Sequence, residues 1–229
     1  FLTKARASPP KLRHFSKSLF KIPYPEHWKH YAHVEMIDVH KVVREGLERI
    51  ERELSGYGEA FESRKVLVAG GAGFIGTWVC RTLLRLGAEV VCVDNFASSL
   101  PENVEELLSQ QGFTLLKKDI SKTLVAEEVG RVDIVLHLAS RAAPPEFDSY
   151  PVETLLANTV GTANLLELSR ACDATFLFAS SSEVYGDPSL NYVPTPETYT
   201  GNVNPVGPRS CYEEAKRCGE AFAKAYEKQ

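Results

Sequence analysis

From Lys65 onward, short apolar runs alternate with longer segments in which apolar residues recur every three or four positions. The runs KVLVA (65–69), EVVCV (89–93), FTLLK (113–117), DIVLHL (133–138) and TFLFA (175–179) have strand length and are rich in β-branched or aromatic residues. The intervening periodicity predicts helices over 74–86 (closed by Gly87), 102–111, near 122–129 and about 152–171. Pro208 and Ser210 signal the start of a further helix running to Gln229. Strands separated by helices of this length imply right-handed crossovers, hence a parallel sheet with helices on both faces. The expected class is α/β: a doubly wound parallel sheet of the Rossmann type, an architecture that binds nucleotides at the carboxyl ends of its strands.

Upstream the pattern is different, and the chain divides near residue 64. Met36, Val39, Val43, Leu47, Ile50 and Leu54 form one apolar stripe, which predicts an amphipathic helix ended by Gly56 and Gly58. Isolated helices of this length are marginal, so the stripe is expected to pack on the main domain or on a second copy. Residues 1–21 carry six Lys or Arg and no Asp or Glu, a bias shared by organelle transit peptides and solvated basic arms. The solvated arm is the plainer reading. Residues 1–64 thus form a basic arm with a helical extension, and 65–229 form the nucleotide-binding domain.

Composition removes several function classes. A formal net charge of −4 gives no concentrated basic face for tracking nucleic acid. No apolar run approaches the ~18 residues of a membrane span. Five cysteines with no C-x-x-C pair suggest neither a disulfide framework nor a zinc site, and a reducing, cytoplasmic setting fits. His27, His30, His33 and His40 invite a metal reading. Steps of three fan imidazoles round a helix, however, and no Cys or carboxylate completes the set, so no metal is expected.

The candidate chemistry lies in two places. GGAGFIG places Gly70, Gly73 and Gly76 between the first strand and its helix. A turn this tight needs residues without Cβ so that backbone N–H groups and the helix N-terminus can approach a pyrophosphate. Asp94, after the second strand, stands close to the ~20-residue offset of a carboxylate that binds the cofactor ribose. A glycine turn that merely packed helix on strand would leave Asp94 unexplained. Near the C-terminus, Tyr212 and Lys216 lie four apart on one helical face, beyond Ser180-Ser181-Ser182-Glu183 at a predicted strand end. A phenolate useful near neutrality needs a shift of roughly three units from the usual ~10, or about 4 kcal/mol, which a lysine and a nicotinamide cation can supply.

GGAGFIG, VDNF (93–96), HLAS (137–140), SSSEVYGDP (180–188) and NVNPVGPRSCYEEAK (202–216) together resemble the extended short-chain dehydrogenase/reductase family, and within it the UDP-glucuronate decarboxylases. The resemblance covers about 65–229. It implies NAD as cofactor, a nucleotide sugar as substrate and a homodimer as the assembly. It further implies that Ser181 bonds the sugar O4, Tyr212 takes its proton and Lys216 holds the nicotinamide ribose. Gly70, Gly73, Phe74, Ile75 and Gly76 would cover the pyrophosphate, Asp94 and Asn95 the adenosine ribose, and Asp119 and Ile120 the adenine. Leu138, Ala139 and Ser140 would flank the cofactor.

Glu183 sorts the branches of that family. A 4,6-dehydratase carries an Asp-Glu pair where this chain has Ser182-Glu183, and a 4-epimerase has no carboxylate at the Glu183 position. A plain loop anchor is the other role open to Glu183. Three positions depart from the decarboxylase pattern: Ala97-Ser98-Ser99-Leu100 replaces a basic turn, Arg141 replaces a proline, and Leu156 replaces a lysine. The family pattern also runs well past the lysine, whereas this chain stops at Gln229. The expectation is that the chain is part of a longer polypeptide lacking its C-terminal substrate-binding part. A catalytically silent NAD-binding module is the alternative.

Overall fold

The computed structural model describes residues 38–122 and 126–229. Strands β1 (Lys65–Ala69), β2 (Glu89–Asp94), β3 (Phe113–Lys117), β4 (Ile134–His137) and β5 (Thr175–Phe178) form one sheet in the order β3-β2-β1-β4-β5. Every neighbouring pair is parallel. The sheet reverses direction of growth between β1 and β4, the switch point where such sheets leave a crevice at their carboxyl ends.

The middles of β1 and β2 are apolar because both faces are covered, whereas the edge strands β3 and β5 leave Thr114 and Leu177 exposed. Successive side chains point to opposite faces. Val66, Val68, Val90 and Cys92 pack with Cys80 and Leu83 of helix α2 (Phe74–Arg85) on one side. Leu67, Ala69, Val91 and Val93 pack with Leu165 and Leu168 of helix α6 (Val160–Cys172) on the other.

Helix α1 (Val39–Glu53) buries Leu47 and half-buries Val43 and Ile50, while Gly46 lies against the Trp78 ring of α2. Glu51 of α1 pairs with Arg85 of α2 at 2.9 Å. The helix stops three residues before Gly56, and a 3-10 turn over Ser55–Ala60 carries both glycines. Met36, His27, His30, His33 and the basic arm lie outside the described residues.

Two expected helices are corrected. Residues 102–111 fold as 3-10 turns at Pro101–Asn103 and Glu105–Leu107. The reason is tertiary: Asn103 donates its side-chain amide to the Ala72 carbonyl at 2.8 Å, and Val104 and Leu107 are fully buried. The long helix at 152–171 is two, α5 (Pro151–Asn158) and α6, broken at Thr159. Thr154, Thr159 and Thr162 each return their hydroxyl to the carbonyl four residues back, a bond that bends helices. The short helix expected near 122–129 is present as α3 (Ala126–Val129), and residues 123–125 lie outside the described residues. A helix that periodicity did not announce, α4 (Pro144–Ser149), precedes α5, and α7 (Ser210–Lys228) ends the described chain. Among the described residues no helix is long and apolar enough to cross a membrane.

Candidate active site

The glycine loop leaves β1 through Gly70, whose φ of +78° favours glycine. A Cβ there would lie 2.6 Å from the Ala139 amide nitrogen, and one on Gly76 would lie 2.1 Å from the Gly70 carbonyl oxygen. The first and third glycines therefore serve packing as much as ligand approach: α2 can start this close to β1 only without side chains there. Gly73 precedes α2 in extended conformation, and Thr77 donates its hydroxyl to the Gly73 carbonyl at 2.8 Å. Phe74 and Ile75 are 82% and 65% exposed, so what they offer inside the loop is backbone.

At the crevice lies a cleft of about 260 Å³. Gly70, Gly73, Asp94, Asn95, Asp119 and Ile120 line it from one side, and Leu138, Ala139 and Ser140 from the other. Asp94 is buried, and its carboxylate is already shared: Oδ2 accepts from the Ala72 amide (3.0 Å), and Oδ1 from the Phe96 amide and the Ser99 hydroxyl (both 2.8 Å). The carboxylate thus ties the glycine loop to the end of β2, with lone pairs remaining on Oδ2. Burial raises the Asp119 carboxyl, but bonds from the Ser121 hydroxyl and amide and from Asn95, with Lys122 nearby, outweigh it and hold the group below its ordinary value.

The second cluster sits at the end of β5 and the first turns of α7, on the same carboxyl edge of the sheet. Ser181 Oγ accepts from the Glu183 amide at 3.3 Å and opens a 3-10 turn over Ser182–Tyr185. Ser180 is directed elsewhere, donating to Glu220 at 2.5 Å. Glu183 is paired with Arg209. Tyr212 is buried and stacks on Phe147 of α4, with ring centres 4.8 Å apart and planes 16° from parallel. Lys216 is 3% exposed; its ammonium donates to the Ala179 carbonyl at 2.6 Å and lies 5.8 Å from the centre of the Tyr212 ring. Burial pulls its pKa down to about 8. His137, fully buried beside it, is held neutral: burial and then the Lys216 charge push its pKa to about 3.

The model of the NAD dependent epimerase/dehydratase family matches residues 66–229. The chain belongs to that family. The glycine cradle fits its cofactor, NAD, because a Cβ at Gly70 or Gly76 would fill the space in which the loop folds back on the strand. The chain is 44% identical over 168 residues to UDP-glucuronic acid decarboxylase 1 of Xenopus tropicalis, covering 73% of this chain and 38% of the relative. A solved UDP-galactose 4-epimerase superposes with TM-score 0.60 at 34% identity, over 72% of this chain and 52% of that one. The NAD complex of the Thermus thermophilus UDP-glucose 4-epimerase gives TM-score 0.58 at 30% identity, over 72% and 51%. The chain therefore spans well under half of that curated relative and about half of those solved chains.

Family membership makes sense of residues that the motifs passed over. Asn103 braces the glycine loop through Ala72, and Val152, Glu153 and Ala157 of α5 form a wall of the cleft together with Leu156, one of the departures already named. Each fell within a stretch read only as helical periodicity, which does not show which side faces a ligand. The departures also acquire local roles. Ser99, in the turn that lacks basic residues, bonds Asp94. Arg141, in place of a proline, pairs with Glu146 at 2.6 Å and stacks over Tyr150 at 4.1 Å, tying the exit of β4 to α4.

Proposed function

We propose that the polypeptide carrying this chain converts UDP-glucuronate to UDP-xylose and CO2 with no net redox change. The observation that carries the reading is a single carboxylate, Glu183, two residues after Ser181 in the turn that follows β5, on the same edge of the sheet as Tyr212 and Lys216. When bound, NAD supplies a reversible acceptor for the electron pair at the sugar C4, and the resulting ketone is β to the C6 carboxylate, so CO2 can leave into an enolate. Tyr212 accepts the C4 hydroxyl proton and Ser181 bonds the same oxygen. Lys216 adds positive charge beside the tyrosine ring and holds the nicotinamide ribose. Glu183 serves the decarboxylation or the reprotonation that follows it. The expected homodimer and cytoplasmic setting belong to this same reading.

A nucleotide-sugar 4-epimerase is the second reading, supported by the solved relatives of that name. Parallel incubations with UDP-glucuronate and with UDP-glucose, without added reductant, separate the possibilities. A decarboxylase yields CO2 and a UDP-pentose in equal amounts; an epimerase interconverts UDP-hexoses; a 4,6-dehydratase accumulates a 4-keto-6-deoxy sugar; a silent binding module changes none of them.

Cofactor preference gives a second check. A buried carboxylate accepts ribose hydroxyls but repels a 2′-phosphate, so NAD should bind more tightly than NADP. Lys118 and Lys122 also line the cleft, yet Lys118 is paired with Glu128 at 2.9 Å and Lys122 lies near Asp119. Titration calorimetry with both dinucleotides should show the preference and its narrowing in Asp94→Ala. Equal or tighter NADP binding by the unsubstituted protein would refute the role given to Asp94.

A further inference from the structure

Arg209 links the turn that carries Glu183 to the first turn of the helix that carries Tyr212. Arg209 immediately precedes α7, and its carbonyl accepts the Tyr212 amide at 3.0 Å and the Glu213 amide at 3.1 Å, so its backbone is fixed by the first turn of that helix. Its guanidinium divides between two carboxylates: Nε donates to Glu213 at 2.9 Å and a terminal nitrogen donates to Glu183. Its Cζ also lies 5.7 Å from the centre of the Phe147 ring, the ring stacked on Tyr212. Glu213 is one residue after the tyrosine and only 12% exposed, which makes it a fixed post rather than a solvent partner.

We propose that Arg209 is a positioning residue for the reaction: it holds the Glu183 carboxylate at a set distance from the Tyr212 helix turn, using Glu213 as the anchor. The inference rests on the proposed role of Glu183. The chemistry of the side chain supports it, because a planar guanidinium can engage two carboxylates in fixed directions, whereas a lysine ammonium is a point charge on a flexible stem. Arg217 bonds the Val184 and Thr200 carbonyls, both at 2.9 Å, and so fixes the backbone beyond the carboxylate but leaves its side chain to Arg209.

A double-mutant cycle on the intact polypeptide tests this. Arg209→Gln should lower kcat about tenfold, leave KM and the NAD dissociation constant within about twofold, and cost less than about twofold when made in Glu183→Gln. Arg209→Lys should recover part of the loss, since one of the two pairings survives. Equal losses in both backgrounds would show that Arg209 does not act through Glu183 and would overturn the proposal. Backbone amide exchange gives a readout that needs no turnover. In Arg209→Gln the Glu183 amide, which bonds Ser181 Oγ, should exchange faster, and Glu183→Ala should produce the same change without further effect of the second substitution. Unchanged exchange overturns the proposal whatever the activity. If the unsubstituted polypeptide turns over no nucleotide sugar, the functional reading fails by itself and the exchange cycle decides the role of Arg209.

Discussion

Tyr212→Phe should reduce release of CO2 from UDP-glucuronate by about 10³-fold or more while leaving NAD affinity within a few-fold, since general acid–base groups typically contribute 10²–10⁴-fold. The substitution deletes one oxygen from a ring that is buried and stacked on Phe147, so packing survives and only the proton acceptor is lost. The pairing of the two measurements matters. Loss of turnover with loss of NAD binding would mean that the hydroxyl supports the cofactor site itself. Turnover near the unsubstituted level would remove Tyr212 from the chemistry. The result should appear in kcat/KM and kcat alike, the pattern of an interaction made in the transition state.

Gly76→Ala should weaken NAD binding by about 100-fold or more and lower thermal stability by the 1–3 kcal/mol typical of overpacking. The added methyl would meet the Gly70 carbonyl oxygen at 2.1 Å and the Gly71 Cα at 2.7 Å, and both are backbone atoms of the loop, so nothing can rotate aside. Gly58→Ala provides the contrast, because a Cβ there has nothing within 4 Å, and it should change neither quantity measurably. Calorimetric titration with NAD and thermal melts of both variants test the claim. A Gly76→Ala protein that binds NAD like its parent would mean that the loop has freedom its packing denies.

The glycine loop, the five strands and the tyrosine helix were readable because each is written locally. Glycine is the only residue that fits Gly70 and Gly76, and β1, β2 and β4 announce burial on both faces by their unbroken apolar character. What the sequence withheld is what depends on distant partners. Periodicity alone could not show that Asn103 would abandon a helix to bond Ala72, or that three threonines would break the long helix at Thr159. Helix α4 is a single turn and a half opened by two prolines, too short for periodicity to register, yet it delivers Phe147 onto Tyr212. The carboxylate of Asp94 was legible as a residue, but not as the brace of the glycine loop, because that use is made by Ala72, Phe96 and Ser99.

The buried ammonium of Lys216 has a cost that reaches the whole fold. Its folded pKa of about 8 lies below the ordinary lysine value of 10.5, so burial disfavours the charged form. Below pH 8 both folded and unfolded chains hold the proton, and the penalty is constant and complete. Between 8 and 10.5 the unfolded chain binds more protons than the folded one, so this group's contribution makes the fold more stable as pH rises, by up to roughly 3 kcal/mol. Denaturant unfolding of the cofactor-free protein across that window should show the gain, and Lys216→Met should remove it. A methionine there would give a sturdier protein at neutral pH with an idle tyrosine: the sheet tolerates at its ligand edge a cation that an ordinary core would have replaced with a thioether.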